Sequence, residues 1–596
     1  MRLRPAALAL LALFAASAAS AASAASTAPD PVAHLAGAHA AKGMTCESCH
    51  KPGTSLTDGE REVNASCTSC HGPMEQIPVS TQGPNPHKSH LGDIQCTTCH
   101  RAHESSRAYC LECHDFPQFE KMPFAGPKRP APKPLDNFTD AKPERVETVD
   151  LVVVGSGAAG FVAAMEAHDR GVRNIVILEK MPIPGGNSQL AAGGMNAAGT
   201  SFQKAQGIED RAELMAADTM KGGKNVSNPA LVDVLARESA ASIEWLRERG
   251  APLENVARGA GASAARMHGP KGGLAVGPYL SAFFRKNVDQ LEGVDLRLNS
   301  RMVKLVRNDR GDVTGVLVEG LHTGLYQLDA KAVILATGGL GANKELVKKY
   351  RPDISPETKT SNQPGTTGDG MILGEEAGAA LVDAKEIQLN PTLLVGSPVI
   401  ISETVRGQGA VFVNREGKRF IQELATRDVT SAAVSKQTGG TAFEIFDDGV
   451  RERVAQLKAA FELGLAKEGN TLEELGRNAG IDPANLKATI ERYNAMARAG
   501  KDDEFGRPDI KIELKGPRYY AIEITPAIHY AMGGLKIDTD ARVIDKEGKP
   551  IANLFAAGET TGGVHGKNRL GGNSISETIT FGRIAGDRAA DAILKK

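Results

Sequence analysis

The chain has 596 residues, with 70 basic against 71 acidic side chains and 41% hydrophobic residues. That length predicts several domains, and the near-balanced charge gives no reason to expect nucleic acid or a charged membrane surface as a partner. All eight cysteines lie between Cys46 and Cys113, so none remains elsewhere to cross-link the rest of the chain.

The N-terminus carries Arg2 and Arg4, an apolar run from Pro5 to about Phe14, and Ala/Ser repeats with small-x-small spacing. This reads as a secretory signal peptide over residues 1–26. An uncleaved anchor is the alternative, but the run is short, and no later segment approaches about eighteen uninterrupted apolar residues.

Residues 27–120 hold four copies of Cys-x-x-Cys-His: Cys46, Cys49 and His50; Cys67, Cys70 and His71; Cys96, Cys99 and His100; Cys110, Cys113 and His114. In this spacing two thiols can add to porphyrin vinyl groups while the adjacent His reaches the iron. One copy could be a redox or zinc pair. Four copies, each closed by a His and leaving no cysteine over, read as four covalent haem c groups. Thioether attachment of haem takes place on the outer face of the bacterial membrane, so a periplasmic location is expected. The segment has few apolar runs, and the haems would supply its bulk. His39, His87, His90 and His103 can serve as second axial ligands, leaving His34 over. A Met-ligated or open haem is the alternative, with Met44, Met74 and Met122 the local thioethers. Two imidazoles give a lower potential than His/Met, which suits electron delivery to a flavin or an organic substrate.

Residues 121–145, including Gly126-Pro-Lys-Arg-Pro-Ala-Pro-Lys-Pro134, read as a linker. An α/β pattern follows. Leu151–Val154 runs into Gly155-Ser-Gly157-Ala-Ala159-Gly160, and the strand Asn174–Leu178 ends on Glu179. The glycines permit a tight turn and close approach of a pyrophosphate to a helix N-terminus, with Glu179 placed for the ribose hydroxyls. FAD is favoured over NAD by a second glycine-rich turn, Gly185-Gly-Asn187-Ser188 and Ala191-Ala-Gly193-Gly194. The apolar strands ending at Gly339 and Glu559 repeat the pattern.

From about His39 onward the chain resembles the soluble periplasmic flavocytochromes c of the fumarate reductase family. Beyond the haem sites, the resemblance is carried by Ala191-Ala-Gly-Gly-Met-Asn196, Asn362-Gln-Pro-Gly-Thr-Thr-Gly-Asp369-Gly, Glu403-Thr-Val-Arg406-Gly, Asn414-Arg-Glu-Gly-Lys-Arg-Phe420, Thr426-Arg427-Asp428, His529-Tyr-Ala-Met-Gly-Gly534 and Gly562-Gly-Val-His-Gly-Lys-Asn-Arg569-Leu-Gly-Gly-Asn573. It implies a multidomain fold: a small tetrahaem cytochrome c domain, then an α/β Rossmann-like FAD domain (146–261 and 381–596) with an inserted α+β capping domain at 262–380. It further implies reduction of an activated C=C bond, with hydride from flavin N5 and a proton from Arg427, replenished through Glu403 and Arg406. His529 and Arg569 match substrate-holding positions, joined by Asn390, Ser402 and Gly194. Flavin contacts carry over to Ala159, Glu179, Asn187, Ser188, Gly193, Gly194, Val303, Asp369, Tyr530, Glu559, Ser574 and Ile575. Membrane-bound relatives tether FAD to a His near Asn187; none occurs between His168 and His268, so one non-covalent FAD is expected. The implied electron donor is a quinol-oxidising membrane cytochrome, and the protein is expected to be a monomer.

The chain departs from the fumarate-specific pattern at one cluster. Asn390 stands where those enzymes place a His against the distal carboxylate, Ile400 where they place Met, and Ser402 where they place Thr. An amide carries no charge, and charge-assisted hydrogen bonds are the stronger kind. Fumarate is the first expectation, and another 2-enoate of the methacrylate, acrylate or urocanate type the alternative. An electron-storage cytochrome with an inactive flavin domain is a third reading. A flavin dehydrogenase donating electrons outward would need redox-active cysteines after Cys113, and there are none.

Overall fold

The computed structural model describes residues 34–51, 56–77, 85–89, 91–92, 94–112, 114, 116–126, 132–508 and 510–595. The expected signal peptide, Cys113 and His90 lie outside these residues. The chain divides into two compact units: Met1–His87 with Ile94–Leu111 and Phe116–Ala131, and a large unit of Lys88–Asp93, Glu112–Asp115 and Pro132–Lys596.

The small unit is built on short turns. Cys46–Ser48 and Cys96–Thr98 are each one 3-10 turn. In both, the motif His amide donates to the first Cys carbonyl, at 2.9 Å for His50 and 2.8 Å for His100. That turn gathers the motif's thiols and imidazole into a compact group. The second motif, Cys67–His71, closes the helix Leu56–His71, and the turn Tyr109–Glu112 carries Cys110. Among the described residues of this unit, the buried apolar side chains are Ala108, Tyr109 and Phe119. So small a core fits the expectation that haem supplies the apolar bulk.

The large unit contains two large sheets with separate cores, beside two small three-stranded sheets. The first is eight-stranded, in the order Arg542–Ile544, Pro550–Ala556, Gly324–Leu335, Arg145–Val154, Ile175–Leu178 and Val294–Arg297, with Ser300–Arg307 and Val313–Gly320 joined as antiparallel neighbours. Leu151–Val153 and Ile175–Leu178 are completely or almost completely buried. Continuous apolar runs of this kind are what a parallel sheet covered on both faces requires. The helices Ala158–Asp169 and Asn573–Leu594 pack against one another, and small residues set their spacing. A Cβ on Gly586 would lie 2.4 Å from the Ala163 carbonyl oxygen, and one on Gly582 would lie 2.9 Å from that of Ala159.

The second sheet is six-stranded. Tyr519–Ala531 is its hub, pairing with Lys359–Thr360, Ile387–Leu394, Ala442–Asp447 and Ala466–Gly469, while Val411–Val413 pairs with Ala442–Asp447. Its core runs from Leu394 to Ile524 and includes Phe412, Phe446, Tyr493 and Tyr520.

Two expected boundaries are corrected. The capping insertion does not occupy 262–380, because Val294–Leu335 supplies four strands of the flavin-side sheet. The independent layer is built mainly from residues 387–531, and the second flavin segment begins after it rather than at 381. Alternating strands of similar composition hid this, since period-2 burial does not say which sheet a strand joins. Nor is 121–145 a continuous linker: Phe138 is buried against Val303 and Leu317, and Arg145 already belongs to the first strand.

The turn after that strand is tightly constrained. Gly155 has φ +106°, and a Cβ there would sit 2.3 Å from the Ala336 carbonyl oxygen; one on Gly160 would sit 1.9 Å from the Gly155 carbonyl oxygen. Gly155→Ala is expected to destabilise the large unit by about 1–3 kcal/mol. It should also leave the purified protein short of FAD while its covalent haems remain. Thermal unfolding and flavin-to-haem absorbance check this; an unchanged melting temperature with full FAD would contradict it.

Candidate active site and cofactor sites

Arg427 begins the helix Arg427–Ser435, Glu403 begins the short helix Glu403–Gly407, and Arg569 precedes the turn into Asn573–Leu594. The fold brings these separate segments together. Arg427 Nε donates to Glu403 Oε1 at 2.5 Å, and its Nη1 donates to Gln388 Oε1 at 3.0 Å. Gln388 turns its amide Nε2 to the Arg569 carbonyl (2.9 Å) and to Asn568 Oδ1 (2.8 Å). It thus ties the Arg427 segment to the Arg569 segment. Gly571 completes the corner, where a Cβ would lie 2.9 Å from Glu403 Oε2.

The charges in this cleft are unbalanced. Burial alone would raise the Glu403 carboxyl, but Arg427 and Arg406 outweigh it and hold the group at about 2. Glu403 is therefore ionised at neutral pH. Burial and the field of Arg427 bring Arg569 down to about 10, so it keeps its proton. Arg569 lies over the Tyr530 ring, 4.4 Å from its centroid, and its Nε has no partner among the described residues. Arg406 is almost wholly buried; Nη2 lies 3.8 Å from Glu403, and Nη1 donates to the Glu423 carbonyl at 2.8 Å.

His529 reaches the cleft through an irregularity in the sheet. Gln388 pairs with Tyr530 but Leu389 with Ile528, leaving His529 as the extra residue of a bulge. Bulges are a recurrent way to re-aim a side chain beside a site. Burial, reinforced by Arg427 and Arg569, holds its imidazole well below the usual His range. It is therefore neutral at pH 7. With Ser361 Oγ at 2.8 Å from Nδ1, a tautomer accepting there leaves Nε2–H as a donor.

Asn390 is two residues beyond Gln388 on the same strand, hence on the same face. Its Oδ1 accepts from the Thr392 amide at 3.0 Å. That turn fixes the amide with its NH2 available to a ligand. Ser402 caps Glu403–Gly407 by accepting from Thr404 N at 3.2 Å. Gly194 runs close to the backbone of His268, whose carbonyl oxygen a Cβ would meet at 2.5 Å. No hydrogen bond ties Asn390, Ser402 or Gly194 to Arg427, His529 or Arg569 among the described residues. Gln388, Ser361 and Gly571 were not anticipated. Gln388 had one available signal, its place two residues before Asn390 on a strand.

The residues of the first sheet fit a dinucleotide. Gly155, Gly157 and Gly160 form the strand-to-helix turn, with Ala159 in the first turn of the helix. Glu179 ends the neighbouring strand and accepts from Ser156 Oγ at 2.6 Å. Ser188 Oγ accepts from Ala158 N at 3.1 Å, and Gly193 has little packed against it. Asn187 donates to Asn362 (2.6 Å) and Glu559 (3.2 Å) and accepts from Gln363 N (2.9 Å), binding three segments together. Burial pushes Glu559 up to about 7. Burial also opposes ionisation of Asp369, yet Lys180, Arg301 and Thr367 hold it at about 2. Tyr530 donates to Glu577 at 2.6 Å, a carboxylate that His565 also contacts at 2.8 Å. Val303 packs its side chain against Phe138 and Leu317, at the point where the strand pairing slips between Met302 and Lys304. Ser574 and Ile575 open the long C-terminal helix, at the positive end of its dipole.

In the small unit, three histidine pairs face one another. Ring centroids are 5.9 Å apart for His50 and His103, 6.2 Å for His39 and His71, and 6.3 Å for His87 and His100. Two imidazoles on opposite faces of one iron, each bonded at about 2 Å, stand about 6 Å apart by centroid. The residues therefore fit bis-imidazole haems and assign a distal partner to three of the motif histidines. His103→Ala is expected to convert one haem to a high-spin spectrum while haem content stays at four. Retention of four low-spin haems would contradict the pairing.

Residues 38–115 match the cytochrome c3 family and residues 150–575 the FAD binding domain family. The chain is 46% identical to a fumarate reductase (cytochrome) of Shewanella frigidimarina, over 94% of this chain and 99% of that one. It is 44% identical to the probable fumarate reductase Ifc3 of Shewanella frigidimarina (strain NCIMB 400), over 96% and 97%. The solved open conformation of a flavocytochrome c3 fumarate reductase superposes with a TM-score of 0.81 at 44% identity, covering 94% of this chain and 99% of that one. The chain belongs to the flavocytochrome c fumarate reductase family, and it is an oxidoreductase carrying FAD and four c-type haems.

Proposed function

We propose that the protein reduces the C=C bond of an unsaturated carboxylate, fumarate to succinate in the first instance. The observation that carries this reading is the charge of the cleft. Arg427, Arg406 and Arg569 surround the ionised Glu403, and His529 is neutral. The guanidinium groups outnumber the firmly ionised Glu403, and that excess of positive charge suits a carboxylate ligand. Arg569, with Nε unpartnered, grips one carboxylate, and His529 donates through Nε2–H.

When bound, FAD supplies the hydride and the haems supply electrons. Arg427 supplies the proton: Glu403 and Gln388 fix the plane of its guanidinium, and the neighbouring cations ease its release. Glu403 is placed to return a proton from Arg406 at 3.8 Å. A guanidinium normally keeps its proton; here Glu403, 2.5 Å from Arg427, takes a proton from Arg406 and passes it on as the first one leaves.

Asn390 favours a second reading. It lies on the face shared with Gln388 yet brings an uncharged amide, so the second carboxylate of fumarate loses a potential cationic partner. A monocarboxylic or differently substituted 2-enoate loses nothing there. We further propose a monomeric periplasmic protein fed by a quinol-oxidising membrane cytochrome. No helix among the described residues is long and apolar enough to cross a membrane.

Oxidation of reduced methyl viologen by a panel of enoates tests the function. Turnover of fumarate above methacrylate, acrylate and urocanate is expected; no turnover with any of them would refute the reading. Arg427→Ala should lower kcat by a factor of about 10² to 10⁴ while the haems remain reducible. Retained activity would remove Arg427 as the acid. Asn390→His is expected to raise kcat/KM for fumarate, and an unchanged value would show that position 390 does not discriminate.

A further inference from the structure

Glu444 lies on the strand Ala442–Asp447, opposite Phe412 on one neighbouring strand and Ile522 on the other. It is fully buried, and neither carboxyl oxygen has a hydrogen-bond partner among the described residues. Native interiors rarely leave a carboxyl so. Arg406 Nε and Nη2, and Arg507 Nε, are likewise buried without a hydrogen-bond partner among the described residues, Nη2 lying 3.8 Å from Glu403. Arg406 and Arg507 are the cations whose fields reach Glu444, and Glu423 is the opposing anion. Open donors and open acceptors in one buried polar neighbourhood are what an internal water satisfies.

The surrounding carboxylates are differently placed. Glu423 is gripped by Arg419 at 2.9 and 3.0 Å and by Arg507 at 3.3 Å. Asp502 takes Arg419 at 2.8 Å and the amides of Phe505 and Arg507, and Glu403 takes Arg427. Glu444 alone among these four lacks a guanidinium hydrogen bond. Burial, only partly opposed by Arg406 and Arg507, pushes it up to about 7. Arg406 itself is closed off: Nη1 is spent on the Glu423 carbonyl, its carbonyl accepts from Arg507, and its guanidinium lies 5.3 Å from the Phe412 ring centroid. Its Nε, without a hydrogen-bond partner among the described residues, is what remains for proton supply.

We propose that Glu444 is the proton-loading group of the relay, joined to Arg406 through internal water. In each turnover Arg427 gives one proton to the substrate carbon, Glu403 passes one from Arg406 to Arg427, and the O–H bond of Glu444 breaks as the N–H bond of Arg406 is restored. One proton moves and no electrons. Solvent reprotonates Glu444 between turnovers. The inference rests on enoate reduction being the activity.

The test uses the FAD- and haem-loaded enzyme with reduced methyl viologen and the enoate it reduces fastest, comparing wild type, Glu444→Gln and Glu444→Asp from pH 6 to 9. Glu444 is protonated below about 7, so wild-type kcat is expected to fall as pH rises through that value. Glu444→Gln should lower kcat at pH 6 by about tenfold or more, keep KM within about twofold, and lose that limb. Glu444→Asp should recover part of kcat with a displaced limb. A wild-type kcat and pH profile in Glu444→Gln would overturn the inference alone. Should Glu444→Gln fail to load FAD, an undisplaced limb in Glu444→Asp would overturn it. Absence of enoate turnover in the wild type would overturn the proposed function and this inference with it.

Discussion

The site depends on keeping guanidinium groups out of water without neutralising them. Each buried ion loses several kcal/mol of hydration and is tolerated only where charges and hydrogen bonds answer it. Glu403 supplies that answer for Arg427 and, at longer range, for Arg406. Remove it and adjacent like charges face each other across a dry cleft. Retain it, and one carboxylate against several cations leaves the excess positive charge that a carboxylate substrate can complete.

Two separately packed layers make that arrangement possible. The parallel sheet and its covering helices hold the dinucleotide turn, while the sheet centred on Tyr519–Ala531 holds Gln388, Asn390 and His529. The cleft residues come from both, and Gln388 stitches across by bonding Arg427, Asn568 and Arg569. Exact placement of each group therefore comes from packing: a bulge aims His529, and the bare backbone of Gly571 admits Glu403.

Much of this was legible in the chain itself. The Cys-x-x-Cys-His spacing is local chemistry, and the turns at Cys46 and Cys96 show why it reads reliably. The strand, glycine turn and Glu179 were legible for the same reason. The capping layer was misplaced because strand partners are a long-range property: Val294–Leu335 and Ile387–Leu394 look alike in sequence and join different sheets. Gln388 and Glu444 escaped notice for a related reason. An isolated Gln or Glu on a strand carries no signal until its neighbours, Arg427 in one case and Arg406 in the other, are placed around it.

The proposed chemistry requires Arg427 to face the reacting carbon while Arg569 and His529 hold the carboxylate. A crystal structure of the holoenzyme with a bound saturated product addresses it most directly. One carboxylate is expected on Arg569 and His529, with the Arg427 guanidinium against the adjacent carbon and still paired with Glu403. A product whose carboxylate is gripped by Arg427, leaving no protonated group against the carbon, would contradict it.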